Sequence, residues 1–257
     1  MPVHLSLLAY AALAVTAFVA GFIDAIGGGG GLLTVPMMAL FGLDPINVLA
    51  TNKLQSTFGS GSATLAYARA GHVDWRGMAP MAIASGVGAM VGVYLLGRLP
   101  KDLILHALPV ALVLVALYFA FSPRVKDIDG HSRIPPAVFG FTIVPLIGAY
   151  DGVFGPGTGS FFMIGFVALC GFGVMRATAH TKFCNFASNV SALLAWIWAG
   201  KIVWSVGLVM GAAQVAGSRL GAHFVLNKGT SLVRPVLIVI CLLLAARLAW
   251  QQGIFSF

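Results

Sequence analysis

The chain states its layout twice. Asp24, the run Gly27 to Gly31 and Ala50-Thr51-Asn52-Lys53 return as Asp151, Gly155-Pro156-Gly157-Thr158-Gly159 and Ala179-His180-Thr181-Lys182. Lys182 follows Lys53 by 129 positions (182 − 53), and the same step carries Tyr67 onto Trp196, Gly71 onto Gly200, Trp75 onto Trp204, Gly88 onto Gly217 and Gly92 onto Gly221. The two aspartates are 127 apart (151 − 24), so the second half gains two residues between glycine run and lysine. A unit of about half the chain is too long for a solenoid repeat of ~20–50 residues. It matches the halves of duplicated membrane transporters, which hold substrate where the halves meet.

Composition agrees with a bilayer. Hydrophobic residues make up 59% of the 257 and charged residues only 9%, against ~25% in an average soluble protein. Glutamate is absent, and the formal charge of +8 comes mainly from loop Lys and Arg, which speaks for membrane orientation and against a nucleic-acid face. Cys170, Cys184 and Cys241 form no metal or redox spacing, so no metal or cofactor is expected. The N-terminal apolar stretch carries no basic leader and no small-residue cleavage site, and reads as a retained first helix.

Breaks of Pro, Gly and charge give apolar segments near 5–26, 32–43, 46–70, 78–97 and 103–121, then 137–154, 160–173, 177–199, 205–226 and 232–251. The expected fold is an all-α integral membrane protein with two homologous repeats of about five segments. The N-terminal repeat is 1–121, a solvated linker covers 122–136, and the C-terminal repeat is 137–257. Segments 32–43 and 160–173 are shorter than the ~20 residues a spanning helix needs, so they are glycine-broken or re-entrant. If the chain doubles back at each glycine run, eight loop Lys and Arg (Arg69, Arg76, Arg124, Lys126, Arg133, Arg176, Lys228, Arg234) fall on one side. Four (Arg98, Lys101, Lys201, Arg247) then fall on the other. If it continues through, the division is seven against five. The positive-inside rule favours doubling back, hence inverted repeats, termini outside and a cytoplasmic linker.

Glycine runs serve as close helix packing or as something sharper. Pro156 and the clustered glycines free backbone groups at depth, and N–H groups at the start of a following helix attract anions. Gly28, Gly29, Gly30, Gly155, Gly157 and Thr158 are the candidates. Lys53 and Lys182 occupy matching places on the third segment of each half, on polar stripes that include Asn52, Gln55 and Ser56, and Thr181, Asn185, Ser188 and Asn189. One reading has each lysine snorkel to the interface while the amides bind helices together. The other makes a shared anion cavity, and a duplicated charge that costs ~2.5–3.5 kcal/mol at the bilayer centre argues for it. Asp24 and Asp151 are candidate proton carriers, or carboxylates that cap helices or neutralise the lysines. Gln214 and Arg219 have Ser85 and Met90 as counterparts, so a role there is asymmetric. Trp75, Trp196, Trp198, Trp204 and Trp250 read as interfacial anchors.

Gly-Phe-Ile-Asp-Ala-Ile-Gly-Gly-Gly-Gly-Gly-Leu-Leu-Thr-Val-Pro at 21–36, Ala-Thr-Asn-Lys at 50–53 and Gly155-Pro-Gly-Thr-Gly159 together resemble the TauE/SafE sulfite exporter family, over nearly the whole chain. The resemblance implies secondary transport of sulfur-containing anions such as sulfite and organosulfonates, or of carboxylates. Strict duplication breaks where Asn52 becomes Thr181 and Gln55 becomes Cys184, so the half-sites need not act alike. The expectation is alternating-access transport of a small anion through the cytoplasmic membrane, with protons as coupling partner and no nucleic acid. A passive anion channel shares these features. An intramembrane aspartyl hydrolase is the rival of another class, but no Gly-x-Gly-Asp accompanies a second aspartate, and duplication already explains the pair. The residues leave the oligomeric state open.

Overall fold

The computed structural model describes residues 5–98 and 130–228, which fold into eight helices. These are α1 (Leu7–Gly27), α2 (Gly31–Leu40), α3 (Pro45–Arg69), α4 (Trp75–Leu96), α5 (Pro136–Val153), α6 (Thr158–Ala168), α7 (Val174–Ala199) and α8 (Trp204–Lys228). No strand occurs among the described residues. The expected segments 103–121 and 232–251, linker residues 122–129, Cys241 and Trp250 lie outside them.

Helix starts follow local chemistry. The Asp44 carboxylate accepts from Ile46 N at 3.0 Å, ahead of Pro45 in the first turn of α3. Asp74 accepts from Gly77 N at 2.9 Å and so begins α4 at Trp75, earlier than the apolar pattern at 78 indicates. The short helices have 10 and 11 residues, about 15–16 Å, or half of the ~30 Å hydrocarbon core.

The chain doubles back at both glycine runs. If α1 ran on, Ala20 and Gly30 would stand about 15 Å apart along the axis. Instead, a β-carbon at Gly30 would lie 2.8 Å from the Ala20 carbonyl oxygen and 2.9 Å from Asp24 Cβ. Leu32, Val35 and Met38 of α2 accordingly share one core with Leu13 and Ala17 of α1. The second hairpin repeats this: Phe161 meets Tyr150 at 5.2 Å and Phe166 meets Phe139 at 5.1 Å between ring centroids. Positive φ at Gly28 (87°) and Gly29 (95°), and at Gly155 (86°) and Gly157 (85°), makes both reversals, a conformation that side-chain-bearing residues avoid.

Each hairpin packs across onto the other half: α1 lies on α8 and α5 on α4. A β-carbon at Gly217 would strike the Phe18 carbonyl and one at Gly221 that of Phe22. At Gly88 and Gly92 it would strike the carbonyls of Pro145 and Ala149. Exchanging each position for its counterpart, by 127 in the hairpins and 129 beyond them, turns one set of contacts into the other. Close backbone approach of this kind is how helices associate in lipid, where apolar side chains gain little from leaving the solvent.

The burial pattern is that of a membrane protein. Leu7, Ile83, Phe141, Leu146 and Trp198 are exposed, while Lys53, Lys182, Asp24, Asp151, Asn52 and Gln55 are buried. Among the described residues three helices, α1, α4 and α5, are long and apolar enough to cross a bilayer, and the polar stripes of α3 and α7 are enclosed by the others. Trp196 corrects the reading of its residue type: it is buried in the core rather than facing an interface, as is its counterpart Tyr67, whose hydroxyl donates to the Ala25 carbonyl at 2.9 Å. Trp75, Trp198 and Trp204 are exposed.

Candidate functional site

The two hairpin tips meet. A β-carbon at Gly28 would lie 2.5 Å from Ser160 N, a β-carbon at Gly31 3.1 Å from Pro156 Cα, and Ser160 Oγ donates to the Gly27 carbonyl at 2.8 Å. Side chains at these glycines would hold the tips apart. Their closeness brings Asp24, at the end of α1, and Asp151, near the end of α5, to a common region where α3 and α7 present their lysines.

The ion pairs cross between the halves. Lys53 Nζ donates to Asp151 Oδ1 at 2.7 Å, and Lys182 Nζ donates to Asp24 Oδ2 at 3.0 Å. Each lysine belongs to one half and its aspartate to the other. Both ammonium groups are fully enclosed, so neither reaches an interface as a snorkelling side chain does. Two cations and two anions leave the group electrically neutral, the condition under which buried charges are tolerated.

The surroundings differ between the pairs. Asp151 also accepts from Thr158 Oγ1 at 2.9 Å and from Ser188 Oγ at 2.6 Å, and its side chain is 1% exposed. Among the described residues, Asp24 accepts in addition only from the backbone of Gly30, at 3.2 Å, and its side chain is 12% exposed. On the α3 stripe, Asn52 Oδ1 accepts from Thr34 Oγ1 at 3.0 Å and from Gln55 Nε2 at 2.8 Å. On the α7 stripe, Asn189 Nδ2 donates to Asn185 Oδ1 at 2.8 Å.

Between the tips and the stripes lies a polar cavity lined by both aspartates, Asn52, Ser56, Asn185, Asn189, Thr158, the loop glycines Gly29, Gly155 and Gly157, and Gly31 and Gly159 in the first turns of α2 and α6. Its volume, counted as positions open to a water centre, is about 10 Å³, room for about one water. An anion of several heavy atoms does not fit without the tips or stripes moving apart. Buried oxygens without a hydrogen-bond partner include Asn189 Oδ1 in the cavity wall and, nearby on the stripes, Gln55 Oε1 and Thr181 Oγ1.

Most of the sequence-selected residues therefore converge. Lys53 and Lys182 stand behind their aspartates, with Lys53 Nζ 2.7 Å from where a β-carbon at Gly155 would be. Gln55, Thr181, Gly28 and Gly30 sit just outside the cavity wall. Gln214 turns inward against Gly21 and Gly59, whereas Arg219 is exposed on the outside of α8 beside Arg69, along an apolar groove. Thr34 and the lining glycines Gly31 and Gly159 were not singled out. Ser188 was read as part of the α7 stripe but not as a partner of Asp151. Its position one helical turn beyond Asn185 was the available signal.

Comparison with known proteins adds the remaining observations. A sequence model of the family described as sulfite exporter TauE/SafE matches residues 13–248. A probable membrane transporter protein, ORF9, of a Sinorhizobium species is 52% identical over 92% of this chain and 90% of its own length. A probable membrane transporter protein of Haemophilus influenzae is 39% identical, covering 93% of this chain and 94% of its own length. The probable membrane transporter protein YfcA of Escherichia coli is also 39% identical, with 92% and 88% covered. No solved structure matches.

Proposed function

The chain belongs to the sulfite exporter TauE/SafE family, whose members are membrane transporters rather than enzymes, and on that premise we propose that it carries a small sulfur-containing anion, sulfite or an organosulfonate, by proton-coupled alternating access. The observation that carries this reading is the crossed pairing of Lys53 with Asp151 and of Lys182 with Asp24 at the meeting point of the hairpin tips. An anion entering between the halves competes with the aspartates for the lysines. Protonating an aspartate removes its charge and leaves an ammonium free, so proton and anion travel together. Asn52, Gln55, Ser56, Asn185, Asn189, Thr181 and Thr158 offer hydroxyl and amide donors, and the loops around Gly28, Gly29, Gly30, Gly155 and Gly157 offer N–H groups ahead of α2 and α6.

The nearly closed cavity fits an occluded arrangement in which the internal carboxylates stand where an anion would meet the lysines. Alternating access then consists of the hairpin tips parting so that the chamber opens to one side at a time. Because the chain doubles back, the loop charges divide eight against four, which supports inverted repeats in the cytoplasmic membrane with the termini outside and linker 122–136 inside.

Counterflow in proteoliposomes tests the reading. Sulfite, sulfoacetate, thiosulfate and a short carboxylate are offered to the wild type, Lys53→Ala and Lys182→Ala. At least one anion is expected to exchange in the wild type, to stop exchanging in the lysine variants, and to accumulate when a pH gradient is imposed. Exchange that survives in both variants contradicts a lysine site, and exchange without saturation identifies a channel.

A further inference from the structure

We propose that the two ion pairs are not equivalent: Lys182–Asp24 is the pair that opens to accept the anion, while Lys53–Asp151 stays closed through the cycle and holds the second hairpin to α3. This deepens the transport reading above and rests on it.

The argument starts from the duplication. Thr158 and Ser188, whose hydroxyls bind Asp151, correspond to Gly31 (158 − 127) and Gly59 (188 − 129) in the first half. Both positions that lock Asp151 are thus occupied by residues with no side chain to offer Asp24. Asp151 faces three side-chain donors at 2.6 to 2.9 Å, of which the Thr158 hydroxyl shares its proton with the Gly155 carbonyl at 2.7 Å. Asp24 has one side-chain donor at 3.0 Å and one backbone donor at 3.2 Å. Hydrogen bonds to a charged group are stronger than those between neutral groups, so two additional hydroxyls make Asp151 harder to detach from its surroundings.

Exposure points the same way. The Asp24 side chain is 12% exposed and that of Asp151 is 1% exposed, although both line the same cavity. An arriving anion or proton meets a carboxylate with an open face only at Asp24. With one exchangeable pair, the neutral chamber accepts one proton and one negative charge at a time. The ligand class is therefore a monoanion with a compact oxyanion head, such as hydrogensulfite or a sulfonate.

Binding of hydrogensulfite, offered as sulfite at pH 6, and of methanesulfonate to purified protein, followed by calorimetry and thermal shift, tests the assignment. Asp24→Asn removes the competing carboxylate at the open pair and is expected to tighten binding about tenfold, the equivalent of one charge-assisted hydrogen bond. Asp151→Asn is expected to lower the melting temperature of the anion-free protein while changing affinity less than about twofold, and Ser188→Ala to do the same more mildly. The converse variant supplies the missing hydroxyl. A β-carbon at Gly59 would lie 2.7 Å from the Gln214 side chain, so Gly59→Ser is made in Gln214→Ala and compared with Gln214→Ala alone. Locking Asp24 in this way is expected to weaken binding about tenfold. Equal affinity changes at Asp24 and Asp151, or no weakening with the added serine, overturn the division of roles and leave the transport reading standing. A wild type that binds neither anion overturns both.

Discussion

Lys53 and Asp151 lie 98 residues apart and on opposite halves, and their removal singly and together tests whether the crossed pair holds the molecule closed. Both side chains are 1% exposed, so Lys53→Met leaves a carboxylate in a place that water does not reach. Removing one member of a buried pair costs about 3–5 kcal/mol. The hydroxyls of Thr158 and Ser188 still solvate Asp151, which puts the expected loss at the lower end, about 3 kcal/mol. For a chain of this size that corresponds to a fall in melting temperature of about 6–12 °C. In the double variant Lys53→Met with Asp151→Asn no charge is stranded, and the asparagine retains both hydroxyl contacts. Its loss is expected near 1 kcal/mol, and since Asp151→Asn alone strands the Lys53 ammonium at a cost of at least about 3 kcal/mol, the cycle gives a coupling of about 5 kcal/mol. The assay is unfolding of detergent-solubilised protein, with tryptophan fluorescence following the buried Trp196. Singles whose losses simply add, with coupling below about 0.5 kcal/mol, would refute the pairing as a structural tie.

Other outcomes follow from the same contacts. Gly217→Ala and Gly88→Ala each set a β-carbon against a backbone carbonyl of the opposite half, and are expected to destabilise by similar amounts, about 1–3 kcal/mol each, in thermal unfolding; a large effect at one site alone contradicts the exchange of contacts between halves. Gly28→Ala combines a φ of 87° with collision against Ser160 N, so it is expected to cost more stability than Gly42→Ala, where φ is 81° but nothing lies within 4 Å. Cysteines placed at His72 and Ser132, in a background lacking the three native cysteines, are expected to react with an impermeant maleimide only from the cytoplasmic side, and one placed at Lys201 only from outside; all three reacting from one face excludes the topology.

Much of this architecture was legible in the sequence because membrane helices are written in long apolar runs with few alternatives. Eight of the expected segments became helices, with ends displaced by up to a few residues where a cap such as Asp74 begins a helix before the apolar pattern does. The short segments were legible for the same reason, since glycine runs and a length near ten residues suit neither a full crossing nor a continuous helix. Which lysine meets which aspartate was not. Duplication places Asp24 and Lys53 in equivalent roles to Asp151 and Lys182, but equivalence is satisfied equally by pairing within a half or across halves. The tips decide it: each hairpin reaches past its own half to the opposite stripe. The unequal support of the two aspartates was written at Gly31, Gly59, Thr158 and Ser188, yet a glycine opposite a serine carries meaning only once both are seen around a carboxylate. A tryptophan near a helix end usually marks an interface, but Trp196 lies on the core-facing side of α7 while Trp198, two residues on, is exposed.

The central claim is that an anion and a proton replace an internal salt bridge together. Calorimetric titration of the wild type with methanesulfonate, repeated in buffers of different ionisation enthalpy, counts the protons exchanged on binding. The account predicts uptake of about one proton per anion, affinity that rises as pH falls, and loss of both in Asp24→Asn. Saturable binding with no proton uptake and no pH dependence would contradict it.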